Sequence, residues 1–258
     1  MTIHYEIAGA VARVTLDAPA RQNALSVAMW HGLRQAFEAL AGRDDIHCIV
    51  LRGAGGNFAA GADITEFPAE RFDLASGRRY HLEVIAPALR AVREAPQPVI
   101  AAIEGSCVGG GLEIAGVCDL RLAAPGSRLG VPVGRLGFPL ALPELVPLLQ
   151  LIGIARASDL LLTGRLLDAH EALAAGLVQR VAAPDGLDAL VDEVVHALLA
   201  GSPLAARLNK RNLRMLAEQG GQYTAAQLDD SFSCFNSYDY TEGLNAFLAH
   251  RRPEFRGC

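Results

Sequence analysis

Cysteine is scarce in this sequence, and its spacing fits no metal site. The 258 residues include five cysteines, at positions 48, 107, 118, 234 and 258, and no two of them form a Cys-x-x-Cys pair. An odd, scattered set disfavours a disulfide framework, and the lack of a pair disfavours zinc. We therefore expect a reduced protein that binds no metal.

Basic charge is also in short supply. Lys and Arg number 23 against 28 Asp and Glu, so the formal net charge is −5. This balance excludes the basic footprint of a nucleic-acid-binding protein. The densest basic run extends from Arg207 to Arg214, and its spacing is typical of a solvated helix face. A phosphate-bearing ligand is the alternative partner for this run.

Long apolar segments are missing as well. The first residues have neither a charged n-region nor an apolar stretch, so no signal peptide is expected. Further along, Pro143, Glu144 and Pro147 interrupt the apolar runs before they reach membrane-spanning length. These absences predict a cytoplasmic protein that has no membrane partner.

What the sequence does contain is an alternation of strand-like and helix-like patterns. Strands are predicted at 3–8, 11–16, 46–52, 98–103, 117–123 and 177–181, and helices at about 26–41 and 75–93. The alternation predicts an α/β core in residues 1–200. From about residue 140 the pattern is nearly all helical, and residues 201–258 are expected to form a C-terminal helical region. Its last helix carries an apolar stripe that serves either core packing or an oligomer contact.

Two glycine-rich loops are the main functional candidates, and each leads from a strand into a helical start. One spans residues 53–63, and the other contains Gly109, Gly110 and Gly111. A single such loop is more typical of tight turn geometry. Two of them could direct backbone N–H groups at one oxygen, as acyl chemistry requires.

Glu113 lies just after the second loop, among Leu112, Ile114 and Ala115. Apolar surroundings raise the pKa expected for a carboxyl group, which favours a role in proton transfer beside an enolate or oxyanion. The alternative is purely structural, because a glutamate in the first turn of a helix is favourable against the helix dipole.

The same segment offers a competing hypothesis. Residues 105–109 match the Gly-x-Cys-x-Gly form of a nucleophile elbow, with Cys107 in place of serine. A hydrolase of this kind needs a later histidine, and His170, His196 and His250 are available. Cys107 is otherwise explained as a small buried residue.

Several motifs, in their order along nearly the whole chain, resemble the enoyl-CoA hydratase/isomerase (crotonase) superfamily. The early Asn-Ala-Leu-Ser motif at 23–26 is similar to the segment that precedes the family's first long helix. The remaining matches are Phe-Ala-Ala-Gly-Ala-Asp-Ile at 58–64, Pro-Val-Ile-Ala-Ala-Ile-Glu-Gly at 98–105, Gly-Gly-Gly-Leu-Glu at 109–113, Cys-Asp at 118–119, Leu-Thr-Gly at 162–164 and Glu-Ala-Leu-Ala-Ala-Gly-Leu-Val at 171–178.

The resemblance implies a spiral of ββα units with a C-terminal helical region that forms trimers, often paired into hexamers. It implies an acyl-CoA substrate, with coenzyme A carried as part of that substrate and no separate cofactor. The thioester oxygen would lie between the N–H groups of Ala62 and Gly110, and Glu113 would be the catalytic acid/base. The positions that correspond to the lining of the family's CoA and acyl pocket are Ala60, Ala62, Asp63, Ile64, Thr65 and Gly110.

One departure from the family pattern bears on the reaction. Family hydratases use a second glutamate, and Val133 occupies the matching position here. Loss of one acid/base partner typically costs about 10²–10⁴ in rate, so ordinary hydration is in doubt. Glu144 could substitute, although a solvated charge at a helix start is the simpler explanation. Arg135 could contact a substrate carboxylate or the CoA phosphates, or form a surface salt bridge.

Three functions therefore stay open, of which the cysteine-dependent hydrolase built on Cys107 is the third. The first is an enoyl-CoA enzyme that stabilises a thioester enolate and uses one clear glutamate. The second is an acyl-CoA-binding protein in which the chemistry is lost or attenuated, as the valine suggests.

Overall fold

A computed structural model describes residues 2–258 and contains two sheets. The strands are β1 Thr2–Ala8, β2 Val11–Asp17, β3 Cys48–Gly53, β4 Val99–Ile103, β5 Ser106–Val108, β6 Leu120–Ala123, β7 Arg128–Gly130, β8 Leu167–Asp168 and β9 Arg180–Val181. The larger sheet has the order β1-β2-β3-β4-β6-β9, and the smaller has the order β5-β7-β8. In the larger sheet only the β1–β2 hairpin is antiparallel.

Helices fill the connections between these strands. They are α1 Val27–Ala41, α2 Phe67–Glu70, α3 Leu74–Arg79, α4 Ala86–Glu94, α5 Gly110–Val117, α6 Leu142–Thr163, α7 Ala169–Ala174, α8 Leu187–Leu199, α9 Pro203–Glu218, α10 Ala225–Ser231 and α11 Tyr238–Leu248. A π-helical segment, Tyr80–Ile85, joins α3 to α4, so the helix predicted at 75–93 is continuous. The α/β core and the helical C-terminal part both agree with the predictions from sequence.

The larger sheet is covered on both faces, as its parallel strands require. Alternate residues of β2 and β3, such as Val14 and Leu51, join a core cluster with α1, α4 and α5. The opposite face, including Val50 and Ile100, packs against α8 through Val191 and its neighbours. Helix α5 therefore packs against one face of the larger sheet.

In helix α1 the local sequence explains both where the helix begins and which face is buried. The Ser26 hydroxyl accepts a hydrogen bond from the Met29 amide at 3.2 Å and so caps the first turn. One face of the helix is fully buried, and its members are Met29, Leu33, Phe37 and Leu40. Spacing of three and four residues places them on one face of the helix.

Two predicted strands are shorter in the structure. The strand expected at 117–123 begins at Leu120, because Val117 ends α5 and the Asp119 carboxylate accepts a hydrogen bond from the Val99 amide at 2.7 Å. The strand expected at 177–181 shrinks to β9, because the Leu177 amide closes the end of α7 by donating to the Ala172 carbonyl at 2.8 Å. The three strands of the smaller sheet, β5, β7 and β8, were not predicted.

Helix α6 is longer and more apolar than the sequence analysis expected. By length and composition alone its 22 residues could cross a membrane, and the bent pair α8 and α9 passes the same criterion jointly. Gly153 interrupts α6 with φ 71, so the segment is two helices joined at a break. Only 22 % of the apolar window of α6 is buried within the single chain, and the cytoplasmic location stays a prediction.

The prediction that the basic run on α9 forms a solvated helix face is wrong for Lys210. Lys210 is buried, not solvated, and its ammonium group contacts Asp119 Oδ2 and donates to the Gln97 carbonyl, both at 2.7 Å. Arg214 holds the other Asp119 oxygen at 2.7 Å. Burial lowers the pKa of Lys210 to about 8. These contacts tie α9 to the sheet, and the division into domains 1–200 and 201–258 stays a prediction.

We expect Lys210→Met to destabilise the protein by about 1–3 kcal/mol, because it leaves a carbonyl and part of a carboxylate without their buried donor. The matched control is Arg211→Met on the same helix. Arg211 pairs with Asp230 at the exposed surface, so its loss should change stability by less than about 0.5 kcal/mol. Urea unfolding at one fixed protein concentration measures both. Equal effects of the two substitutions would show that the buried contacts contribute nothing specific.

Candidate active site

The first glycine loop is held in place by a buried asparagine. Asn23 Nδ2 donates to the carbonyls of Ala54 and Asn57 at 2.8 and 2.7 Å, while its Oδ1 accepts from the Ala18 amide at 2.8 Å. Three backbone groups of the loop and its approach are thereby satisfied by one side chain. This explains why the Asn-Ala-Leu-Ser motif accompanies the loop.

The two glycine loops pair directly through their backbones. The Ala59 amide donates to the Ser106 carbonyl at 2.8 Å, and the Val108 amide donates to the Ala59 carbonyl at 2.9 Å. Gly61 has φ +111, and a Cβ added there would lie 3.1 Å from the Val108 carbonyl oxygen. The close approach thus depends on glycine at position 61.

This pairing brings Ala62 and Gly110 to the wall of one cavity. Gly110 is the first residue of α5, where backbone N–H groups lack helical partners. Neither amide donates to a backbone oxygen in the loops, turns and caps within residues 2–258. The two N–H groups can therefore serve an oxygen of a ligand.

The cavity has a volume of about 120 Å³ and contains most of the predicted site residues. Ala60, Ala62, Ile64, Gly110 and Glu113 all line it. Three aromatic residues, Phe67, Tyr80 and Phe138, line it too.

Asp63 and Thr65 lie outside the lining of that cavity. Asp63 is buried, where it accepts hydrogen bonds from the Thr65 amide at 3.1 Å and from its hydroxyl at 2.6 Å, and it forms an ion pair with Arg21. These contacts lower the pKa of Asp63. In this structure the two residues shape the loop, and their binding roles stay predictions.

Glu113 presents a carboxyl group with one unsatisfied oxygen. Its Oε2 is buried and has no hydrogen-bond partner among the described residues. Burial and the nearby negative charge of Glu144 raise the pKa of Glu113 to about 8, against the opposing effect of the Arg71 guanidinium. A carboxyl group that titrates near neutral pH can both give and take a proton under ordinary conditions.

Val133 lines the same cavity as Glu113, as the sequence comparison implied. The solvated role considered for Glu144 is wrong. Glu144 is only 2 % exposed, and its Oε1 lies 2.9 Å from Nδ1 of His81. The prediction failed because Glu144 is buried by a tertiary contact. Its partner His81 lies 63 residues earlier in the chain, so the local pattern at the start of the helix gives no sign of it.

Among the lining residues that sequence reasoning missed, two carry charged or titratable side chains, His81 and Arg71. The Arg71 guanidinium lies over the rings of Phe67 and Phe138, at 4.3 and 4.1 Å from their centroids. It forms no ion pair with a carboxylate within the described part of the chain. Neither residue belongs to a recognisable motif, so no local signal could have identified them.

Four other candidates, Cys107, His170, His196 and Arg135, do not line this cavity. Cys107 is completely buried in β5, and burial raises the pKa of its thiol, which disfavours a thiolate nucleophile. His170 and His196 are exposed. Arg135 is exposed next to Gly164, and among residues 2–258 it does not make the salt bridge that was one of its two expected roles. Its other expected role, contact with a substrate carboxylate or the CoA phosphates, stays a prediction.

Comparisons with known proteins identify the family and the fold of this chain. The model of the enoyl-CoA hydratase/isomerase family matches residues 6–258. A solved structure described as an enoyl-CoA hydratase/carnithine racemase from Magnetospirillum magneticum has 44 % identity and a TM-score of 0.97, covering 100 % of this chain and 96 % of that one. An enoyl-CoA hydratase structure from Bacillus anthracis has 29 % identity and a TM-score of 0.90, with full coverage of both chains.

A curated relative gives the same result. The short-chain-enoyl-CoA hydratase of Clostridium acetobutylicum is 30 % identical over 248 residues, which are 95 % of this chain and 94 % of that protein. The chain belongs to the enoyl-CoA hydratase/isomerase family and has the crotonase fold. The resemblance noted in the sequence is thereby confirmed.

The raised pKa of Glu113 makes stability depend on pH in a defined direction. The ordinary value of 4.5 rises to about 8 on folding, so the folded protein binds more protons between these values. Stability from the neutral carboxyl group is full below pH 4.5 and is lost as the pH rises through 8. Glu113→Gln stays neutral, so between pH 5 and 8.5 its stability relative to wild type should increase by on the order of 3 kcal/mol.

Urea unfolding at both pH values, at one protein concentration, measures this change. The control is Glu83→Gln, at an exposed glutamate of the segment that carries His81, which should keep the wild-type pH dependence. A Glu113→Gln profile parallel to that of wild type would show that the carboxyl group is ionised normally.

Proposed function

We propose that the protein is an enzyme of the enoyl-CoA hydratase/isomerase type that acts on an enoyl-CoA thioester. One observation carries the proposal: the Glu113 carboxyl group lines the same small cavity as the amides of Ala62 and Gly110. A thioester oxygen placed between those two N–H groups would be stabilised as it gains negative charge. Glu113 would then exchange a proton with a carbon or oxygen atom of the bound acyl group.

The remaining roles follow from the same cavity. Ala60 and Ile64 would line the acyl and CoA path, with Asp63 and Thr65 supporting the loop that carries Ala62. The small volume and the short-chain relative from Clostridium acetobutylicum favour a short acyl group. Coenzyme A would enter as part of the substrate.

We further infer a homotrimer or homohexamer that works in the cytoplasm. The apolar stripe on α11 supports an oligomer contact, because it is exposed in the single chain. Leu244, Phe247 and Leu248 are 48, 77 and 68 % exposed, and an exposed apolar patch favours a protein partner.

Glu113→Gln should lower kcat/KM for enoyl-CoA turnover by about 10²–10⁴, because glutamine cannot carry the proton. The assay follows the loss of conjugated enoyl thioester absorbance across short enoyl-CoAs, with Glu83→Gln as the control of unchanged activity. Wild-type protein that turns over no acyl-CoA would overturn the proposal.

The alternative, an acyl-CoA-binding protein, is favoured by one observation, namely Val133 in the cavity. Calorimetry with saturated, non-reactive acyl-CoAs distinguishes the two functions. Tight binding by a wild-type protein without turnover across the panel would establish the binding function, whereas turnover that depends on Glu113 would exclude it.

Cys107→Ala should retain enoyl-CoA turnover within a factor of about three, because a fully buried thiol has no access to substrate. The same absorbance assay measures it, together with thioester hydrolysis followed by release of free coenzyme A. Hydrolysis that disappears in this variant would instead support a cysteine-dependent hydrolase.

A further inference from the structure

His81 and Glu144 form a carboxylate–histidine pair beside the cavity. His81 Nδ1 lies 2.9 Å from Glu144 Oε1. The imidazole is 16 % exposed and lines the cavity that contains Glu113, whereas the Glu144 carboxylate is completely buried behind it. In such a pair the carboxylate orients the ring, fixes a proton on Nδ1 and leaves Nε2 for proton exchange.

Burial makes this pair more than a surface ion pair. Glu144 Oε2 has no hydrogen-bond partner among residues 2–258 and has essentially no contact with solvent. A buried carboxylate with a single hydrogen-bond partner orients that partner and stabilises an imidazolium once one forms during the reaction. Glu144 is thus placed to stabilise His81 whenever the imidazole takes up a proton.

The pair is also linked to Glu113. A second cavity, of about 10 Å³, is lined by both Glu113 and Glu144, and a volume of this size holds about one water molecule. The unpartnered Oε2 atoms of the two glutamates are both buried. The second cavity is therefore shared by Glu144 and Glu113, while His81 and Glu113 both line the substrate cavity.

We propose that His81, oriented by Glu144, is the second acid/base group of this site and supplies the function that Val133 cannot. The inference rests on the proposed function. His81 would be a catalytic residue, because it lines the substrate cavity. Glu144 would be a positioning residue, because it acts through His81.

The hydration step balances with these two groups. The water oxygen bonds to the β-carbon of the enoyl thioester, and the electron pair of the double bond moves onto the thioester oxygen held by Ala62 and Gly110. His81 Nε2 takes the proton that water loses. Glu113 gives its proton to the α-carbon, so one water molecule is added across the double bond. The proton then returns from His81 to Glu113, which restores both groups.

The other charged and titratable groups near the pair define its pH behaviour. They are the Arg71 guanidinium, which lies over Phe67 and Phe138, and the buried Tyr80 phenol, whose ring is edge-on to His81 with centroids 5.6 Å apart. Burial raises the pKa of Tyr80 and keeps it neutral. Glu113, which lines the same cavity as His81, is the third such group.

The test compares kcat, KM and pH profiles of the full-length protein and its variants with a short enoyl-CoA. His81→Gln should lower kcat by about 10²–10⁴ with little change in KM. It should also remove the acidic limb of the kcat/KM profile, because that limb reports protonation of the base. Glu144→Gln should lower kcat by about 10² or more through loss of ring orientation. Both variants should keep the basic limb that comes from Glu113.

Two controls separate chemistry from structure. His196→Gln, at an exposed histidine whose Nδ1 bonds to its own helix, should keep wild-type kinetics. In His81→Ala, added imidazole should restore part of the lost kcat, as a merely structural role would not. His81→Gln with a kcat within threefold of wild type and an intact acidic limb, or His81→Ala without imidazole rescue, would overturn the inference. Wild type without any turnover would instead remove the proposed function itself.

Discussion

The backbone pairing between the two glycine loops is the contact on which the candidate site depends. It is made by hydrogen bonds on both sides of Ala59, and it favours glycine at position 61 because φ there is +111 and a Cβ would lie only 3.1 Å from the Val108 carbonyl oxygen. The pairing joins the start of α5 to the loop that follows β3. Two amides from sequence-distant segments thereby reach one cavity, and Glu113 follows within a turn of the second. Asn23 and Asn57 reinforce the pairing, since Asn57 Oδ1 accepts a hydrogen bond from the Ser106 amide at 2.9 Å.

Much of this arrangement could be predicted from the sequence because it is encoded locally. Glycine where backbone must approach backbone, serine at the cap of α1 and apolar residues at helical spacing each act within a few positions. The order of the motifs then predicted the fold and the neighbourhood of Ala62, Gly110 and Glu113. The roles of these residues stay predictions, as do the two domains and the oligomer.

Long-range contacts explain what local patterns could not predict. Glu144 and Lys210 both look like solvated charges by spacing, yet each is buried by a partner far away in the chain. His81 comes from the helical segment before β4, and Asp119 from the turn after α5. Burial of a charge becomes tolerable only when such a partner exists, and no window of sequence contains both members. The sequence therefore predicted the glycine loops and Glu113 of the candidate site, but it did not predict His81 or the burial of Glu144.

The charges around Glu113 also give Val133 a physical explanation. Glu113 and Glu144 line one small cavity, and the charge of Glu144 already raises the pKa of Glu113. Arg71 opposes that effect from the aromatic wall, and among the groups that shift the pKa of Glu113 it is the only cation. A carboxylate at position 133 would line the same cavity as Glu113 and add a third negative charge to a poorly solvated space. Like charges so close cannot all ionise. An aliphatic residue at 133 and a buried carboxylate at 144 are thus compatible with each other, whereas carboxylates at both positions would compete for the same proton.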